Sequence, residues 1–142
     1  MNINKQYFTI DELVYSDIAK KYKIDNTPNA IVLKNLKELI DFLNPLREAW
    51  GSSIRINSGY RCPELNKKVG GSNTSAHLLG WAVDLWPVNG QYDKFKDFVV
   101  NYLKDKQFDQ CIEEKAGASR WVHLGIKNSA GQQRKMIFKI IK

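Results

Sequence analysis

The sequence predicts one α+β domain over residues 1–142, with neither an internal repeat nor a linker. Helical periodicity dominates the first third of the chain and strand periodicity follows it, a segregation that is typical of α+β domains. A chain of 142 residues suits a single domain, which at this size buries roughly 68% of the surface of its unfolded chain. The composition, 43% hydrophobic and 26% charged, excludes a disordered or collagen-like protein.

A formal net charge of +7 favours anionic partners such as nucleic acid, a membrane surface or a cell-wall polymer. No RNA-binding or helix-turn-helix signature accompanies the charge, so we expect no nucleic-acid partner. No run approaches the roughly 18 apolar residues of a spanning helix, so we expect no membrane insertion. The N-terminus lacks the apolar segment of a signal peptide, which predicts synthesis in the cytoplasm without one.

A first helix is expected over residues 10–22. Thr9 and Glu12 have the spacing of a capping box, in which each side chain bonds to the backbone N–H of the other residue. Phe8 and Leu13 flank this box as a hydrophobic staple, which further marks the start of the helix.

A long second helix is predicted over 29–50, where apolar residues recur every three or four positions and form one stripe. Pro45 should kink or split it, because proline removes a helical hydrogen bond and crowds the preceding turn. A short helix from Pro63 to Lys68 begins with proline at its first position, where the missing N–H has no partner to lose. An amphipathic helix is expected over 91–105.

Strands are expected where apolar and polar residues alternate or where short apolar runs end at turn residues. They lie at 54–57, 81–86, 108–113, 121–126 and 136–141, the last as an edge strand. His123 lies on the face of its strand opposite Val122 and Leu124, which are natural core residues. Asp84 likewise alternates with the apolar residues of its own strand.

Asp84 lies in so apolar a strand that it needs a partner, because burying an unpaired charge is costly. A salt bridge would satisfy this carboxylate, and so would a metal ion. With His77 and His123 it would complete a set of two imidazoles and one carboxylate, which suits a catalytic zinc site with an open position for water. The spacing between His77 and Asp84 is by itself a weak signal.

Six short motifs surround these three residues in order along the chain. They are Ser58-Gly59-Tyr60-Arg61, Pro63-Glu64-Leu65-Asn66, Val69-Gly70-Gly71-Ser72, Ser75-Ala76-His77, Gly80-Trp81-Ala82-Val83-Asp84 and Trp121-Val122-His123. Together they closely resemble the M15 family of zinc D,D-carboxypeptidases and bacteriophage peptidoglycan endopeptidases. The resemblance runs from about Phe8 to Ile126 and includes the connector Asp25-Asn26-Thr27-Pro28, so it covers most of the chain.

The resemblance implies the fold shared by these peptidases and the hedgehog signalling domain, a small, mostly antiparallel sheet packed against helices. It also implies that His77, Asp84 and His123 bind Zn2+. Arg61 matches the family arginine that holds a carbonyl oxygen or carboxylate of the substrate, a task that suits the fixed donors of a guanidinium. Ser75 is expected to hydrogen-bond beside the metal site.

The general base is expected to be a carboxylate, since zinc peptidases need one near the attacking water. Many relatives have an acidic residue three positions before the last histidine ligand, but here that position is Arg120. Short members of the family have an acidic residue at the end of the preceding strand, which matches Glu114, with Glu113 as the alternative. Because strand side chains alternate, one of the two faces the site. Gln110 shares the face of Glu114 and should line the cleft.

The resemblance therefore implies a monomeric zinc metallopeptidase that hydrolyses peptide bonds in peptidoglycan stem peptides. Either a D,D-carboxypeptidase or an L-alanyl-D-glutamate-type endopeptidase fits. The residues expected to contact this substrate are Arg61, Ser75, Gln110 and Trp121. As in phage and prophage lysis modules, the enzyme should act at the cell wall after release from the host, or in the virion. A non-catalytic zinc- or wall-binding module and a structural virion component of the same fold stay open.

Cys62 and Cys111 are too few for a disulfide framework. We expect free thiols, one buried and one partly exposed, although a disulfide between them stays open. A nucleophile pair of cysteine and histidine is disfavoured, because Asp84 would then have no role.

Overall fold

Five strands form one sheet, in the order β1-β2-β4-β3-β5, in a computed structural model that describes residues 5–142. The strands are β1 (Ile54–Ser58), β2 (Ala82–Pro87), β3 (Gln110–Ala116), β4 (Ser119–Gly125) and β5 (Met136–Ile141). Neighbouring strands are antiparallel except β3 and β5, which are parallel. The predicted α+β class with a mostly antiparallel sheet is confirmed, and β5 lies at the edge, as expected.

The described residues form five α-helices and two short 3-10 helices. The α-helices are α1 (Ile10–Val14), α2 (Asp17–Lys21), α3 (Ala30–Trp50), α4 (Pro63–Lys68) and α5 (Tyr92–Tyr102), and the 3-10 helices are Ala76–Leu79 and Leu103–Asp105. The predicted helix over 91–105 corresponds to α5 together with the 3-10 helix that continues it.

The single helix predicted over 10–22 is wrong, because the chain breaks it at Tyr15 and Ser16. Both residues have extended backbone angles, and the Ser16 hydroxyl accepts a hydrogen bond from the N–H of Ala19. Serine competes with the helical hydrogen bonds in this way and favours a new N-cap over a helix interior. The predicted start is confirmed, since the Thr9 hydroxyl accepts from the N–H of Glu12 at 3.1 Å.

Helix α3 continues through Pro45 without a break, so the expected split does not occur. Proline has no N–H to donate, and the carbonyl of Asp41 therefore lacks its usual helical partner. Burial of the apolar stripe compensates, since Leu36 and Leu43 are fully buried. Each buried leucine contributes about 1.5–3 kcal/mol relative to an exposed one.

The core lies between the helices and one face of the sheet. Val83 and Leu85 of β2 and Val122 and Leu124 of β4 are fully buried there, in one cluster with the leucines of α3. The alternation predicted for both strands is therefore present. It leaves Asp84 and His123 on the other face of the sheet, where these neighbouring strands pair them in register.

Asn26 holds the loop between β1 and α4 in place. Its amide Nδ2 donates to the carbonyls of Val14 (2.8 Å) and Tyr60 (3.0 Å), and its Oδ1 accepts from the N–H of Cys62 (2.7 Å). All three partners are backbone groups, which a buried loop must satisfy. The connector after α2 thus fixes the segment from which Arg61 extends.

Both cysteines are buried and free, so the expectation that one is partly exposed is wrong. Cys62 is covered because it caps α4, where its sulfur accepts from the N–H of Leu65 at 3.5 Å. Cys111 lies on β3, and burial raises the pKa of its thiol to about 12. A group with so high a pKa stays protonated, which makes it a poor nucleophile.

Over the described residues, no helix combines the length and the apolar character needed to span a membrane.

Candidate metal centre and cleft

His77 is positioned by the 3-10 helix at 76–79. Ser75 caps this helix, and its hydroxyl accepts from the N–H of His77 at 3.2 Å. The Nδ1 of His77 lies 2.7 Å from the carbonyl oxygen of Gly59. A carbonyl accepts only, so Nδ1 carries the proton and Nε2 is left with a free lone pair. Fixing the tautomer through the other ring nitrogen is how proteins orient a metal-binding histidine.

Gly59 has to be glycine for this arrangement. A Cβ at this position would overlap the carbonyl group of Leu13, whose oxygen also accepts the N–H of Tyr60 at 2.8 Å. The glycine backbone therefore lies directly between the end of α1 and the ring of His77. A side chain there would displace the carbonyl that orients the imidazole.

Asp84 and His123 meet His77 at the same point. The Oδ1 of Asp84 lies 3.4 Å from Nε2 of His77 and 3.2 Å from Nδ1 of His123. One ligand atom from each of the three residues lies within 4.8 Å of the other two. Each side chain is at most 14% exposed, so this polar cluster is shielded from bulk water.

Asp84 keeps its negative charge despite this burial. Burial alone would raise the pKa of its carboxyl group, but the adjacent imidazoles of His77 and His123 outweigh it and hold the pKa below its usual range. A carboxylate is the form that binds a metal ion. Two imidazoles and one carboxylate, with one ligand atom of each within 4.8 Å of the others, fit a zinc ion with one open position.

Arg61 and Ser75 lie beside the cluster. The N–H of Arg61 donates to the carbonyl of His77 at 3.1 Å, and its Nη2 lies 3.5 Å from the Ser75 hydroxyl. Burial lowers the pKa of Arg61, whereas the charges of Asp84 and Glu114 raise it. Burial dominates and the pKa is lowered, but a guanidinium stays protonated in proteins, so the centre faces a fixed cation.

Glu114 and Glu113 lie on opposite faces of the sheet. Glu114 lines the same cleft as the metal cluster, whereas Glu113 faces Lys96 (3.9 Å) and Lys139 (3.6 Å) on the other side. Strand alternation predicts this separation, and the register with β4 determines which residue faces the cluster. The geometry leaves Glu114 as the carboxylate available to a reaction there.

The cleft has a volume of about 600 Å3. Besides the metal cluster, Arg61 and Glu114, its lining includes Ser75, Gln110 and Trp121. The structure thus brings together all the residues that the sequence analysis assigned to the site. Their roles toward a substrate stay predictions.

Sequence reasoning missed an ion pair in this cleft, between Asp109 and Arg134. Arg134 donates from Nε to one carboxylate oxygen of Asp109 (2.8 Å) and from Nη2 to the other (2.9 Å), and its backbone N–H adds a third bond. Burial raises the pKa of Asp109, but these hydrogen bonds outweigh it and the pKa is lowered. The position of Asp109 near the start of a predicted strand was only a weak signal of a buried charge. Nothing in the sequence linked this residue to Arg134.

The site belongs to the metallopeptidase class. It combines a shielded cluster of two histidines and an aspartate with a further carboxylate and an arginine in the same cleft. The family model described as Peptidase M15 matches residues 6–125 of the chain. The match covers most of the 142 residues, and the chain therefore belongs to the M15 peptidase family. No curated protein shows significant similarity to it.

Proposed function

We propose that this protein is a zinc-dependent peptidase that hydrolyses peptide bonds in the stem peptides of peptidoglycan. The observation that carries the proposal is the convergence of His77, Asp84 and His123 at the floor of a cleft that also holds Arg61 and Glu114. Membership of the M15 family supports the peptidase class. The net charge of +7 fits a substrate attached to an anionic cell wall.

Zinc is the ion that fits the donor set of the cluster. Bound there, it would lower the pKa of a water molecule and polarise a carbonyl group. The protein contributes a fixed geometry, because the Gly59 carbonyl orients His77 and the pairing of β2 with β4 places Asp84 against His123.

Glu114 is the proposed general base. It takes the proton of the attacking water and then gives it to the amine that leaves as the peptide bond breaks. Such a carboxylate has to lie in the cleft and be free of a competing ion pair, and Glu114 makes no salt bridge among the described residues.

Arg61 is the proposed anion-binding group of the reaction. Its backbone and its guanidinium are tied to His77 and Ser75, so the cation is preorganised beside the metal cluster. Negative charge that develops on the carbonyl oxygen of the substrate would be stabilised there, which is the larger part of many enzymatic rate enhancements.

Purified cell walls test the proposal directly. The protein with zinc should reduce the turbidity of a wall suspension and release new amino groups, and a chelator should abolish both effects until zinc is restored. Mass spectrometry of the released muropeptides identifies the bond, and so distinguishes a carboxypeptidase from an endopeptidase. Wall binding without release of amino groups would instead indicate a non-catalytic module.

We further propose a role in cell-wall lysis of the phage or prophage type. This follows from the resemblance of the motifs to phage endopeptidases. Expression of the chain together with a membrane-permeabilising partner should lyse the host, and expression alone should not. Finding the protein in purified particles, without lysis, would favour a structural virion component.

A further inference from the structure

A second pocket, of about 520 Å3, adjoins the cleft on the β1 side. Asp84 and Trp121 line both of them, so the two cavities are continuous past the metal cluster. Arg55 and Arg120 also line this pocket, and neither has a role in the proposed reaction.

Both guanidinium groups are held in place. Arg55 donates from Nε to Oδ1 of Asn57 at 2.9 Å, and among the described residues its two terminal nitrogens make no hydrogen bond. Arg120 stacks over the ring of Tyr92, 4.5 Å from the ring centroid, and its Nη1 lies 3.6 Å from Asp93. Preorganised arginines lose less entropy on binding an anion than free ones do.

The lining of the pocket carries a net positive charge, from two arginines and one carboxylate. Among the residues that line it, the one carboxylate is Asp84, and that group is already bound by His77 and His123. Asp93 is 78% exposed, so its ion pair with Arg120 is weak and easily exchanged for another. Trp86 and Trp121 supply apolar walls against which a peptide can pack.

We propose that this pocket binds a free carboxylate of the substrate peptide, close to the scissile bond and other than its C-terminal carboxylate. The inference rests on the proposed function and specifies its substrate: a stem peptide whose branching carboxylates are not amidated. Arg55 and Arg120 are then specificity-determining residues, because a carboxylate offers each guanidinium a negative charge and two acceptor oxygens, whereas a neutral amide offers one acceptor oxygen and no charge.

Two synthetic stem peptides test the proposal. They are identical except that one has free carboxylates, and the other carboxamides, at the non-terminal positions. The wild-type protein with zinc should cleave the carboxylate peptide with a kcat/KM about tenfold higher, mainly through KM. The variant with Arg55→Gln and Arg120→Gln should cleave both peptides about equally, and the preference of the wild-type protein should weaken at high salt.

The matched control is Lys37→Gln, which removes one positive charge from an exposed position on α3 and should keep the preference. Arg120→Lys keeps the charge, and it should keep part of the preference. Equal cleavage of the two peptides by the wild-type protein, or an unchanged preference in the double variant, would overturn the proposal.

Binding measurements separate this inference from the proposed function. If the wild-type protein cleaves neither peptide, the proposed function fails, and calorimetric titration with the same two peptides decides on the pocket. A tighter Kd for the carboxylate peptide that is lost in the double variant would support it. Equal affinity, or no binding of either peptide, would refute it.

Discussion

The two faces of the sheet differ in what they contribute to the molecule. On one face, the side chains of β2 and β4 are apolar and fully buried against the helices. On the other, the same two strands present Asp84 and His123, polar side chains at most 14% exposed whose hydrogen-bonding atoms face each other. The first face supplies stability, whereas the second holds polar groups that cost free energy unless they are paired. Substitutions on the two faces should therefore separate stability from activity.

The largest effect is expected from Asp84→Asn, which keeps the shape and removes the charge of the cluster. We expect loss of stoichiometric zinc and of all measurable hydrolysis, because the amide is a poor zinc ligand. Zinc at about 100 times its Kd should stabilise the wild-type protein by about 2.7 kcal/mol and should leave the variant unchanged. Metal analysis and thermal unfolding with and without zinc measure both effects. Asp41→Asn, at an exposed position on α3, is the control.

The next largest effect should distinguish two neighbouring carboxylates on one strand. Glu114→Gln should lower kcat by roughly 10²- to 10⁴-fold with zinc retained, since it removes the proton carrier from the cleft. Glu113→Gln should change kcat by less than about twofold, because it removes surface ion pairs on the far face. A large loss of kcat in Glu113→Gln and none in Glu114→Gln would mean that Glu113 is the general base.

On the apolar face, Leu124→Ala should lower the free energy of unfolding by about 2–5 kcal/mol, as expected for a cavity in a packed core. Urea denaturation measures this loss. The folded fraction of the variant should still bind zinc, since the substituted side chain points away from the cluster. A loss below about 1 kcal/mol would mean that this face is less tightly packed than its burial indicates.

The smallest effect concerns pH and the ion pair of Asp109 with Arg134. The pKa of Asp109 is lower in the folded protein than in the unfolded chain, so the pair contributes stability above the unfolded value of about 3.9, and this is lost as the pH falls through the folded value. Arg134→Gln should therefore reduce stability at neutral pH and make it fall less steeply toward acid. Urea midpoints at about pH 7 and pH 3 measure this, with Lys135→Gln as control.

The sequence predicted the residues of the metal cluster because each lies in a short local motif. Alternation along a strand places His123 opposite its apolar neighbours and separates Glu114 from Glu113, since both follow from backbone geometry alone. The face of β3 that meets the cluster depends on its register with β4, which the motifs left open.

Other features depended on contacts between distant segments. The pairing of Asp109 with Arg134 joins residues 25 positions apart, since Asp109 directly precedes β3 and Arg134 lies in the loop between β4 and β5. The helix break at Ser16 could not be predicted, because a serine in a helical pattern can lie inside one helix or cap the next. The structure shows that its hydroxyl caps α2. One of the two cysteines was expected to be partly exposed, but both are buried, and Cys62 is the N-cap of α4.

The backbone at Gly59 joins two distant parts of the chain through a single peptide segment. Its carbonyl orients His77, and the N–H that follows it is anchored to Leu13 at the end of α1. Metal affinity is therefore mechanically coupled to the docking of the first helix. We expect that trimming or fusing the chain ahead of Leu13 loosens the imidazole of His77, so any shortened form should be judged first by how firmly it binds zinc.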